Sequence, residues 1–155
     1  MPATSATAPA VKTGHIGLNV SDITRSTQFY QDVFGWDLLG QSAEAGRRFA
    51  FLGAGGQLIL TLWEQSAGAA DHSRPGLHHL SFEVADIAAV HSFAERLSAL
   101  AVRVRYDGIV PHAEGADSGG LFFADPDGIR LEIFSPSGAS GLDAPTPGAP
   151  TCGFF

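Results

Sequence analysis

The stretch HIGLNVSDITRSTQFY (residues 15–30) lies over HLSFEVADIAAVHSFA (79–94) at a constant offset of 64 residues. His15 meets His79, Val20 meets Val84, Asp22 meets Asp86, Ile23 meets Ile87 and Phe29 meets Phe93. Apolar positions 16 and 18 are matched by 80 and 82. Farther along, GGQLILTL (55–62) lies over DGIRLEIF (127–134) at an offset of 72, so the second copy carries about eight extra residues, placed most simply in the polar loop HAEGADSGG (112–120). One unit is repeated.

Each copy starts with a period-two strand (15–20; 79–84), followed by a helix (about 22–34; 87–100) with Ser21 and Asp86 as caps and ends near Gly35 and Ala101. Three short strands complete each unit, at about 36–40, 47–52 and 57–63, then 102–107, 119–124 and 129–135. GAGG (53–56) reads as a hairpin turn, and Asp125-Pro126-Asp127-Gly128 as the turn between the last two strands. The expected class is α+β: two tandem βαβββ modules forming a curved mixed sheet around a cleft. One domain is expected over 13–136, with modules at about 13–66 and 77–136, and residues 1–12 and 137–155 as flexible tails.

Alternation sorts the side chains. Ile16, Leu18 and Val20 suit the helix side, leaving His15, Gly17 and Asn19 on the cleft face; likewise His79, Ser81 and Glu83 oppose Leu80, Phe82 and Val84. In the last strand Arg130, Glu132 and Phe134 face the cleft. Two histidines and a carboxylate thus fall on one inner surface, where either reading of each (metal ligand or ordinary polar strand residue) is open.

Composition narrows the function. With 155 residues, 45% hydrophobic content and no apolar run near the roughly 18 residues of a membrane span, globular folding is expected. The net charge of −7, with Lys12 the single lysine, argues against nucleic-acid binding, which needs a cationic stripe. The single cysteine, Cys152, excludes an internal disulfide framework and suits a reducing cytoplasm; the opening MPATSATAPAVK lacks the pattern of a signal peptide. No P-loop, dinucleotide fingerprint or nucleophile elbow is present.

HIGLNVSDITRSTQFYQDVFGW, HHLSFEV and FFADPDGIRLEIF resemble the glyoxalase, bleomycin-resistance and extradiol-dioxygenase (vicinal-oxygen-chelate) superfamily over residues 13–136. The resemblance implies a metal site on His15, His79 and Glu132, with Leu60 at the position where the lyases carry a fourth ligand. Three ligands with open coordination positions suit Fe(II) or Mn(II), with Zn, Ni and Co also admissible. His112, upstream of the LFFA strand, corresponds to a histidine of the extradiol pattern and is the candidate acid/base group; Phe122 replaces the tyrosine of that pattern. Asn19, Leu60, Ser81, Glu83, Phe122 and Arg130 are the expected substrate-cleft residues. The implied function is a divalent-metal-dependent enzyme on a small oxygen-chelating substrate, with dioxygenase-like chemistry ranked above lyase, isomerase or thiol-transfer chemistry. The alternative class is a drug- or metabolite-sequestering binder. A homodimer is expected because related small proteins commonly dimerise.

Overall fold

The computed structural model describes residues 7–155, and its elements follow the repeat. The first module comprises β1 (Ile16–Val20), α1 (Ile23–Phe34), β2 (Asp37–Ser42), β3 (Phe49–Ala54) and β4 (Gln57–Glu64). The second comprises β5 (Leu80–Glu83), α2 (Ile87–Ala99), β6 (Val110–Pro111), β7 (Gly119–Ala124) and β8 (Arg130–Ser135). A short 3-10 turn follows at Thr151–Gly153.

Both helices start where an aspartate satisfies an orphan backbone N–H. Asp22 accepts from Arg25 N and Asp86 from Ala89 N, each at 2.9 Å. Asp22, rather than the expected Ser21, therefore caps α1; Ser21 is turned instead toward Asp127. α1 stops at Gly35, whose left-handed φ of 69° lets its N–H reach the Gln31 carbonyl. Ile23, Ser26, Tyr30 and Val33 bury the face that packs on the sheet.

The eight strands form two four-stranded sheets, β1-β4-β3-β2 and β5-β8-β7-β6, rather than one hydrogen-bonded sheet. In each, the first strand pairs in parallel with the fourth and is an edge, so β1 and β5 each leave one side unpaired. The strand expected at 102–107 is reduced to a single bridge, Val104 to Phe123, and the edge strand forms later at Val110–Pro111. VRVRY has strand alternation, but among the described residues no further strand lies beyond it to reward full pairing, and Gly108 (φ 89°) turns the chain before β6.

One core runs through both modules: Leu18, Val20, Leu52 and Leu62 of the first join Leu80, Val90, Leu121 and Ile133 of the second. Phe34 and Trp36 pack on Phe82 with ring centroids 5.0 and 5.4 Å away. The DPDG turn clasps the two modules. Asp125 accepts from Tyr30 Oη at 2.9 Å, while Asp127 accepts from Ser21 N at 2.9 Å and pairs with Arg25 at 2.8 Å.

The segment 137–155, expected as a flexible tail, folds back onto the second module. Ala139 and Thr151 are fully buried, and Phe155 is 8% exposed. Thr151 donates its N–H to His112 O (2.7 Å) and its hydroxyl to Pro111 O (2.6 Å). These bonds and the burial of the Phe155 ring oppose the entropy that a Pro/Gly-rich tail would otherwise retain. Of the opposite tail, residues 7–12 are exposed and form neither helix nor strand; residues 1–6 lie outside the described residues.

Candidate functional site

β5 and β8 run parallel with Ser81 beside Glu132, and β7 places Phe122 on the other flank of Glu132. Period two therefore brings Ser81, Glu132 and Phe122 to one face, as alternation predicts. Glu132 is only 2% exposed. A buried carboxylate must find a donor, and the His112 imidazole supplies one. His112 donates through Nε2 to Glu132 Oε1, and His79 Nε2 stands 3.6 Å from Glu132 Oε2.

Each histidine is oriented from behind. With Nε2–H given to the carboxylate, His112 meets the Ser118 hydroxyl at Nδ1, 2.8 Å away. His79 Nδ1 lies 2.8 Å from His78 Nδ1, so His78 fixes the ring that presents Nε2 to Glu132. Burial holds the His79 imidazole below its ordinary range, against the opposing pull of Glu132, which favours the neutral form that can ligate a metal.

The C-terminal turn roofs this cluster. Phe155 packs edge-on against Phe122 (4.8 Å between centroids) and His79 (5.7 Å), and Tyr106 stands on the far side of Phe122 at 5.7 Å. Tyr106 Oη donates to Phe154 O at 3.2 Å, anchoring the turn. Burial and the nearby Glu132 charge push the Cys152 thiol up. Sequence reasoning missed Ser118, His78, Phe155 and Thr151. The only available signal was the pair of aromatics in TCGFF, which nothing in the periodicity connects to His112.

The other expected residues divide. Ser81 and Glu83 are exposed on the cleft face, and Arg130 lies with its guanidinium 5.7 Å from the Phe155 ring. Asn19 accepts from Gln65 N at 3.0 Å, tying down the end of its own sheet. Leu60 is not a cleft residue. It is fully buried in the core, because it sits beside Ile16, on the helix side of β1. The register identifies the true counterpart of Glu132: Ser81 pairs with Glu132, and its repeat partner Gly17 pairs with Thr61. Thr61, 2% exposed, accepts from Trp63 Nε1 at 3.0 Å. A threonine hydroxyl engaged in this way is a poor substitute for a carboxylate ligand, so the first module still supplies one ligand candidate, His15.

His15 immediately precedes β1 and is exposed, on the sheet that does not contain His79 and Glu132. Among the described residues, no three His, Cys, Asp or Glu side chains lie together in a group that could hold a metal ion within the chain. His79 and His112 each approach Glu132 without completing such a group, and His15 stands apart.

Comparison with known proteins agrees with this architecture. Residues 12–133 match the family model of the Glyoxalase/Bleomycin resistance protein/Dioxygenase superfamily. The chain belongs to this superfamily. It is 30% identical to the uncharacterized protein YaeR of Escherichia coli K12 over 125 residues, covering 77% of this chain and 92% of YaeR. It is 29% identical to catechol-2,3-dioxygenase of Bacillus subtilis 168, over 79% of this chain but only 40% of that protein. Among solved structures, a glyoxylase/bleomycin resistance protein/dioxygenase domain from Frankia sp. EAN1pec superposes with a TM-score of 0.68 at 27% identity, covering 82% of this chain and 93% of that one. Among the described residues, no helix is long and apolar enough to cross a membrane.

Proposed function

We propose that the chain is a divalent-metal-dependent enzyme acting on a small organic substrate that presents two neighbouring oxygens, with ring- or bond-cleaving oxygenation ranked above lyase chemistry. The observation that carries this reading is the buried Glu132 carboxylate, set between the Nε2 atoms of two oriented histidines. The donor set, imidazole and carboxylate, fits Fe(II) or Mn(II). His79 and Glu132 would hold the ion together with His15 of the partner subunit. The support for a second subunit is topological: β1 and β5 each have an unpaired side, His15 and His79 stand at the starts of those two edges, and His15 is exposed. A homodimer joining β1 of one chain to β5 of the other would bring the two histidines to one seam.

A divalent ion there supplies Lewis acidity toward the substrate oxygens. The chain's own residues do the rest. His112 holds a transferable proton at Nε2, and Ser118 keeps that ring in place. Phe122 and Phe155, packed on each other, exclude water from one side of Glu132. Thr61 in place of a fourth ligand leaves coordination positions open, which is why oxygenation ranks above lyase chemistry.

Subunit complementation tests the arrangement. His15→Ala and His79→Ala homodimers each lack a ligand at every site, whereas a mixed dimer regenerates one complete site. Metal uptake restored on mixing the two variants is the expected result; no restoration overturns the shared site. Oxygen consumption coupled to loss of a catechol from the Fe(II)-loaded protein supports oxygenation, and turnover unaffected by removing oxygen rules it out.

A further inference from the structure

A second cavity, of about 510 Å³, is lined by Phe155 and Arg130 but by none of His79, His112 or Glu132. It opens between the modules, with Phe29 of α1, Phe123 of β7 and Phe155 among its walls. Three arginines line it, Arg103, Arg105 and Arg130, and no Asp or Glu side chain does. That concentration is unusual in a chain with 9 Lys and Arg against 16 Asp and Glu. Arg25, Arg48 and Arg74 are each paired with a carboxylate. Among the described residues the three cavity guanidinium groups have no such partner; Arg105 and Arg130 rest instead by the Tyr106 and Phe155 rings, at 5.9 and 5.7 Å.

An unpaired guanidinium rim above an apolar interior is suited to organic oxyanions. The planar fork of arginine matches a carboxylate or phosphonate, and the apolar walls accept the body that carries it. The volume lies within the range of small-molecule sites, about 300–1,000 Å³. We propose that this cavity binds an organic oxyanion, a carboxylate or phosphonate on an aromatic or aliphatic body, beside the metal centre and without using its ligands. Cationic side chains in a strongly anionic protein give the site its selectivity: the surrounding net charge repels anions, and the three guanidinium groups of the rim attract them locally.

Calorimetric titration of the full chain with 2-naphthoate and the neutral 2-naphthamide tests this. Naphthoate is expected to saturate one site per chain, with naphthamide weaker by about tenfold or more. An Arg103→Gln/Arg105→Gln variant should weaken naphthoate about tenfold without moving the unfolding midpoint, since both side chains are exposed. Glu132→Gln, which disables the metal centre, should retain naphthoate binding; loss there would mean that the probe chelates the metal centre and overturns the separate site. Equal binding of the amide, wild-type affinity in the arginine variant, or no naphthoate binding overturns it as well.

Discussion

His79 Nε2 stands 3.6 Å from Glu132 Oε2, across the parallel pairing of β5 with β8. The two residues are 53 positions apart in sequence, and the pairing of Ser81 with Glu132 is what fixes their separation. A histidine one residue before the strand and a carboxylate within the neighbouring strand form a half-site, with Glu132 held in the backbone ladder and His79 fixed where that ladder begins.

The clasp between modules predicts a stability effect at Tyr30, which is fully buried and donates to Asp125. Tyr30→Phe leaves that carboxylate oxygen without its donor and should cost about 1–3 kcal/mol. Urea unfolding of the two proteins measures it; an unchanged midpoint contradicts the role given to this bond.

Asp125 also predicts a pH dependence. Burial pushes its carboxyl above the ordinary range, opposed by the bonds from Ile129 N, Tyr30 Oη and Asp127 N. The folded protein therefore keeps this proton to a higher pH than the unfolded chain does. The corresponding stability is fully present below the unfolded pKa and is lost as pH rises through the folded one. Asp125→Asn carries no charge to lose, so the wild-type-minus-variant stability should fall as pH rises across that acidic window and then level off. A difference that rises with pH contradicts the assignment.

Phe155 predicts the worth of the C-terminal turn. Phe155→Ala removes the ring that packs on Phe122 and His79 and should lower stability by about 1.5–3 kcal/mol. The same change uncovers Cys152, so its reaction with a thiol reagent should accelerate. Unchanged stability together with unchanged thiol reactivity contradicts a packed terminus.

Much of this was legible in the residues. The offset of 64 between His15 and His79 located both modules, and Asp22 and Asp86, matched by that offset, turned out to be the two caps. Alternation put Glu132 on the same face as Ser81, and the two are register partners. The misassignment of Leu60 has a simple cause. The offset of 72 was set by matching apolar residues, and a slip of one residue moves a strand position to the opposite face. Only the backbone register, Gly17 with Thr61, corrects it. The roof over Glu132 was hidden for another reason: Thr151 reaches His112 and Pro111 through backbone and hydroxyl bonds that leave no periodic trace.

Elemental analysis of protein purified without oxygen or chelators, beside Glu132→Gln, tests the metal centre. Close to one iron or manganese per chain is expected in the wild type, with its loss in the variant. Wild-type protein that neither carries a divalent metal nor takes one up on titration would contradict it.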